Sequence, residues 1–164
     1  MPDSVRAFVG LGGNIGDVAN TLMEAIWAIE ALPQTSVRSQ SDLYRSPPWG
    51  RTDQDHFINA VVELQTRLAP MILLDCLIGI EEKFGRVRSA NERWGPRTLD
   101  LDLLLFGEQI IQSPGLCIPH PHLHERGFVL VPLAQIAPNL DVPGRGRVAD
   151  LLTGIDASGV ELID

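Results

Sequence analysis

The chain has 164 residues, a net charge of −8 and 45% hydrophobic residues, enough to fill the core of one ordinary domain. A pI near 4.9 argues against a general nucleic-acid binder, which carries a broad basic surface. No apolar run approaches a membrane span, and residues 1–6 lack the basic-then-apolar layout of a signal peptide. Cys76 and Cys117 sit in apolar surroundings and read as buried, reduced thiols of a cytoplasmic protein.

In chain order, Val5 to Leu11 predicts a buried strand, followed by a glycine turn, Gly12-Gly13-Asn14-Ile15-Gly16, in which Asn14 tolerates an unusual backbone angle. Asp17 is the expected N-cap of a helix carrying Leu22, Ile26, Ile29 and Leu32, stopped by Pro33. Thr35 to Tyr44 predicts a strand, and Ser46-Pro47-Pro48-Trp49-Gly50 opens a loop to about Asp55. Phe57 to Leu64 predicts a strand that is apolar apart from Asn59 and Glu63. Pro70 fits the first turn of a helix through Ile80, with Gly85 as its C-terminal cap. Residues 86–98 form an arginine-rich loop, Leu99 to Phe106 a strand, and Gly107 a turn from which Gln109 to Ile111 pairs back. Leu116 to Arg126 reads as irregular, Phe128 to Ile136 as partly helical, and the tail from Asp141 as loop with one apolar segment at Val148 to Leu152. This order, βαββαβ and then further pieces, is that of an α+β ferredoxin-like sandwich, mainly antiparallel with helices packed on the sheet. No linker divides the chain, so one domain over residues 1–164 is expected.

The run from Arg93 to Asp102 carries the most chemistry. Asp100 and Asp102 are two apart on a strand and point the same way, while Leu99, Leu101 and Leu103 point into a core. Two anionic oxygen ligands on one face suit Mg²⁺. A half-buried strand with a wet outer face shows the same alternation, and the pattern alone favours that plainer reading. The arginines shift the balance. Arg86, Arg88, Arg93 and Arg97 cluster in an acidic chain, which implies a local anionic partner, and arginine grips phosphate in bidentate fashion. Metal with arginine is the equipment of phosphoryl transfer.

Other constellations are weaker. The glycine turn has no Gly-Lys-Ser/Thr, and Ile15 stands where a dinucleotide loop needs glycine or alanine. His120, His122 and His124 alternate, but Pro119 and Pro121 constrain the backbone and no further zinc signature stands nearby. A role for His120 near phosphate fits better, because Arg126 follows closely. His56 reads as surface. Core packing accounts for Phe8 and Trp27, whereas Trp49 and Trp94 lie in polar loops, where an exposed aromatic covers something flat. Asn59, in an apolar strand, can offer both donor and acceptor to a heterocycle edge.

With these residues in place the chain resembles the 6-hydroxymethyl-7,8-dihydropterin pyrophosphokinase family of folate biosynthesis. The resemblance runs through Leu11-Gly12-Gly13-Asn14, Tyr44-Arg45-Ser46-Pro47-Pro48, Asp53-Gln54 and Phe57-Ile58-Asn59-Ala60. It continues through Glu81, Gly85-Arg86-Val87-Arg88, Arg93 to Asp102, Ile118-Pro119-His120, Arg126-Gly127-Phe128 and Pro132-Leu133, and the last dozen residues carry none of it. It implies transfer of pyrophosphate from ATP to the pterin alcohol, with two Mg²⁺ ions held by Asp100 and Asp102. It further implies phosphate contacts from Arg86, Arg93, Arg97, Arg126 and His120, a mobile loop bearing Arg88 and Trp94, and Glu81 near the nucleotide. The pterin is expected to be read by Asn59, stacked between Phe57 and Phe128, and bordered by Ser46, Pro47 and Trp49. No general base is named by the resemblance. The segment 88–93 is one residue longer than in familiar members, Trp49 and Phe57 replace other residues, and Pro121 stands where another residue often meets nucleotide. The implied protein is a cytoplasmic monomer with no nucleic-acid or membrane partner. Its rivals are a catalytically weak pterin- or nucleotide-binding relative, and a zinc hydrolase built on the three histidines.

Overall fold

A computed structural model describes residues 3–47, 55–84 and 98–163. Its centre is an antiparallel sheet. Strand β1 (Val5–Gly13) lies between β4 (Phe57–Thr66) and β5 (Asp100–Phe106), which forms one edge. On the far side of β4 lie β2 (Thr35–Gln40) and β3 (Tyr44–Ser46), end to end on the same edge. The predicted strand Thr35 to Tyr44 is therefore two strands. Ser41 sits at the break, where its N–H donates to the Val61 carbonyl at 2.9 Å and its hydroxyl accepts the Val61 N–H at 2.9 Å. The ladder's bonds are thus kept while the chain bends. Counting β2 and β3 as one broken strand, the order is that of the expected ferredoxin-like sheet.

Helices α1 (Val18–Glu30) and α2 (Pro70–Lys83) cover one face. Ala7, Val9 and Leu11 of β1 pack there with Ala60, Val62 and Leu64 of β4, Leu101 and Leu103 of β5, and Leu22, Ile29, Leu73 and Leu77 of the helices. Asp17 caps α1 as expected, accepting the Asn20 N–H. The opposite face carries α3 (Gly127–Ile136) and α4 (Val148–Thr153), packed on Phe8, Val61, Leu104 and Leu105. A bulge between Phe8 and Val9 explains how Leu104 and Leu105 both reach this second core. A small hairpin, β6 (Ile111–Ser113) with β7 (Leu116–Ile118), follows β5. Short strands β8 (Asp141–Val142) and β9 (Gly146–Arg147) pair with each other, and β10 (Glu161–Leu162) adds to β3.

Several expectations change. Gly12 and Gly13 belong to β1 rather than to a turn. Gly16, at φ +76°, takes the left-handed conformation expected of Asn14. Asn14 is buried, and its side-chain amide donates to the Asp55 carbonyl at 3.1 Å, tying the start of β4 to the end of β1. Ile111 pairs with Ile118 in the hairpin rather than back onto β5. Within the stretch read as irregular, β7 and a 3₁₀ turn at Leu123–Glu125 are ordered. Trp27 is 65% exposed on the outer side of α1, because Ala25, Ile26 and Ile29 take the inward stripe. Cys117 is exposed and Cys76 only partly covered, both as free thiols, so the expectation of two buried cysteines fails. Cys117 lies on a two-stranded hairpin whose neighbours Leu116 and Ile118 turn inward. Gly85, Pro48, Trp49, Asp53, Gln54, Arg86, Arg88, Arg93, Trp94 and Arg97 lie outside the described residues.

Candidate active site

One end of the sheet collects the chemistry. There β1 and β3 finish and β4 and β5 begin, so residues distant in sequence meet by register. Asn59 of β4 pairs with Gly12 of β1, which pairs with Asp100 of β5. In the next row on the same face, Val61, Gly10 and Asp102 align. The middle strand contributes no side chain to either row, so an amide and two carboxylates border a bare backbone floor. Gly12 leaves room there: a Cβ would stand 2.8 Å from the Asn59 Oδ1, so the buried amide would have to shift. This floor escaped the reading of the sequence, although the alternation Phe8-Val9-Gly10-Leu11-Gly12 carries it, with glycine at every second place on one face.

Asn59 is 5% exposed and donates from Nδ2 to the Ser46 hydroxyl at 2.7 Å. Ser46 is itself buried, at the end of β3. Phe57, two residues before Asn59, shares its face, and Phe128 stands in the first turn of α3, which packs over β4. The structure thus brings Ser46, Phe57, Asn59 and Phe128 to one end and one face of the sheet, with Pro47 leading out of it.

Asp100 and Asp102 are half-buried on that face, while Leu99, Leu101 and Leu103 are buried, so the predicted division of the strand holds. Leaving β7 through a cis Ile118–Pro119 bond, the chain fastens to β5 as the His120 N–H donates to the Leu104 carbonyl at 3.0 Å. This places His120 Nε2 3.9 Å and Arg126 Nη1 4.0 Å from the two oxygens of Asp102. The Arg126 guanidinium also lies 5.4 Å from the Phe128 ring centroid, a cation–π distance. The His122 N–H donates to His120 Nδ1 at 3.2 Å, so the neutral ring carries its proton on Nε2, toward Asp102. Burial, then the nearby Arg126 and His122, lower the His120 pKa to about 4, with Asp100 opposing. His120 is therefore a neutral donor at pH 7.

Glu81 is 2% exposed on α2, and its Oε2 accepts the Leu101 N–H at 2.8 Å. It thus grips the backbone between the two aspartates. His122 and His124 turn instead to Glu125, at 3.2 Å and 4.0 Å. Among the described residues no group of three or more His, Cys, Asp or Glu side chains comes together to hold a metal. Two carboxylates suit Mg²⁺, which is commonly held by one or two of them with substrate phosphates and water completing its shell.

The family model described as 7,8-dihydro-6-hydroxymethylpterin-pyrophosphokinase (HPPK) matches residues 8–138. The chain belongs to this family. Relatives named 2-amino-4-hydroxy-6-hydroxymethyldihydropteridine pyrophosphokinase agree along the chain. That of Pseudomonas aeruginosa is 47% identical over 156 residues, 95% of each chain. That of Methylorubrum extorquens is 45% identical over 159 residues, 97% of this chain and 99% of the relative. A crystal structure of Plasmodium falciparum HPPK-DHPS with pteroate superposes with a TM-score of 0.73 at 14% identity, covering 94% of this chain and 43% of that one. This likeness is one of fold. The family match takes in both aspartates, Asn59, His120 and Arg126, and stops before α4 and β10.

Proposed function

We propose that the protein transfers pyrophosphate from ATP to the hydroxymethyl group of 6-hydroxymethyl-7,8-dihydropterin, giving the pterin diphosphate and AMP for folate biosynthesis. The observation that carries this reading is the pair of rows Asn59–Gly12–Asp100 and Val61–Gly10–Asp102, which sets a heterocycle-reading amide across one intervening strand from two carboxylates. Family membership and near-full-length relatives at 45–47% identity support the same activity.

In this reading Asn59, oriented by Ser46, reads the pterin edge, and Phe57 and Phe128 hold its flat ring. Pro47 borders that pocket, and Trp49 is assigned to it by its sequence match alone. The pterin hydroxymethyl oxygen attacks the β-phosphorus of ATP, the bond to the α-phosphate oxygen breaks, and AMP leaves. Asp100 and Asp102 would hold two Mg²⁺ ions, which would supply positive charge to the phosphate oxygens of ATP. Neutral His120 donates from Nε2, and Arg126 presents a fixed positive charge beside Asp102, so both serve anionic oxygens bound there. Glu81, expected near the nucleotide, is buried against β5 and in this reading acts at one remove, by holding the strand that carries the aspartates. Arg86, Arg93 and Arg97 match the family's phosphate-contacting positions, and Arg88 and Trp94 match its loop that closes over the bound substrates. The support for these five is their sequence match.

The protein works as a single-domain monomer in the cytoplasm on small-molecule substrates. The single-domain part of that reading is supported by one central sheet with a helical layer on each face, and the cytoplasmic part by two free thiols.

The deciding experiment supplies ATP, Mg²⁺ and the dihydropterin and resolves AMP from ADP. AMP formed only with pterin present is the expected result. ADP would indicate single-phosphate transfer, and no turnover with pterin still bound would indicate a binding relative.

A further inference from the structure

The last residues of the chain lie beyond the family match, yet they touch both walls of the pterin end. Strand β10 pairs with β3, Glu161 opposite Arg45 and Leu162 opposite Tyr44, and the Ile163 N–H donates to the Leu43 carbonyl at 3.0 Å. Just before β10 the chain makes a tight turn. Asp156 accepts the Ser158 N–H at 3.0 Å; hydrogen bonds from the Ser158 side chain and then from this N–H hold its carboxyl below the usual range, and the Val160 N–H donates to the Ala157 carbonyl at 3.0 Å. This turn sits against two glycines' worth of space. At Gly127, the first residue of α3, a Cβ would stand 3.1 Å from the Ala157 Cβ and 3.4 Å from Val160 Cγ2. At Gly159 a Cβ would stand 3.3 Å from Pro47 Cδ and Cγ.

Neither glycine has a positive φ. Close approach, not backbone conformation, is what a side chain at these places would disturb. On one side the turn meets Pro47, next to Ser46, the partner of Asn59. On the other it meets Gly127, between Arg126 and Phe128. We infer that residues 157–162 are a positioning strap, a wedge that sets the gap between the Ser46–Pro47 wall and the α3 wall, and so the fit of the flat ring between them. This inference rests on the reading of that gap as the pterin site.

The test measures binding of 6-hydroxymethyl-7,8-dihydropterin and, separately, of a non-hydrolysable ATP analogue. The variants are Gly127→Ala, Gly159→Ala and the double variant Gly127→Ala with Ala157→Gly. A displacement of a few tenths of an ångström at a fitted wall should weaken the pterin by about tenfold, on the scale of a roughly hundredfold rate loss for a 1 Å misplacement. The ATP analogue, held mainly by charged groups, should change by less than about twofold. The melting temperature of each variant shows whether the fold is kept, so that a lost pterin affinity is read at the wall alone. Ala157→Gly removes the atom at 3.1 Å while the Ala157 Cα at 3.3 Å stays, and should restore part of the pterin affinity to Gly127→Ala. Unchanged pterin affinity in both single variants would overturn the strap, as would parallel losses for both ligands or failure of the double variant to recover. A wild-type chain that binds no pterin would instead remove the proposed function, and the strap with it.

Discussion

Metal-free protein should lose stability as pH falls from 6.5 to 4, and His120 should account for much of the slope. The His120 pKa falls from 6.5 to about 4, burial being the largest cause and the positive charge of Arg126 the next. The unfolded chain takes up a proton near pH 6.5 that the folded chain refuses until about pH 4. Stability is therefore complete above 6.5, falls through the window between, and is flat with respect to this group below it. The difference of 2.5 pH units, at about 1.36 kcal/mol per unit, amounts to about 3 kcal/mol. The side chain is 18% exposed, so solvent screening removes only part of this. Urea unfolding in EDTA at half-unit steps from pH 7.5 to 4 measures it, for wild type and His120→Asn. Asparagine keeps an acceptor for the His122 N–H, and other carboxylates titrate alike in both proteins. The stability difference between them should shrink or reverse by about 2–3 kcal/mol across the window. A pH-independent difference would refute the account and mean that His120 is protonated, or solvated, in the folded protein.

Asp102→Asn should lower kcat by about 100-fold or more, beyond the loss typical of an outer partner of a metal ligand, with far-UV circular dichroism unchanged; near-normal turnover would remove Asp102 from the metal site. Phe128→Ala should weaken the pterin about tenfold, the scale of a lost aromatic contact, and leave the ATP analogue nearly unaffected in titration calorimetry; equal losses would contradict stacking. Glu81→Ala should cost about 1–3 kcal/mol in urea unfolding by stranding the buried Leu101 N–H, and lower kcat by shifting the aspartates. Glu81→Gln, which keeps an acceptor, should recover most of both, and a stable, fully active Glu81→Ala would show that the grip on β5 is dispensable.

Local patterns were readable where one residue's chemistry decides its neighbourhood. Asp17 capped the helix it precedes, Pro70 opened the next, and the Asp100/Leu101/Asp102 alternation divided β5 between core and site. Trp27 was misread because size and apolarity suggest a core, whereas the stripe of α1 was already filled by Leu22, Ala25, Ile26 and Ile29. The broken edge strand was missed because Ser41 repairs its ladder through a side chain, which no periodicity records. What pattern reading cannot supply is register. Nothing local says that Gly12 faces both Asn59 and Asp100, or that Glu81 reaches a backbone N–H twenty residues on. Those pairings follow from antiparallel strands whose alternating faces must match two cores at once, which leaves one register that buries Leu11, Leu64, Leu101 and Leu103 together. That register brings the glycines of β1 between amide and carboxylates. The same hydrophobic constraint that fixes the sheet therefore also clears the floor on which we place the pterin.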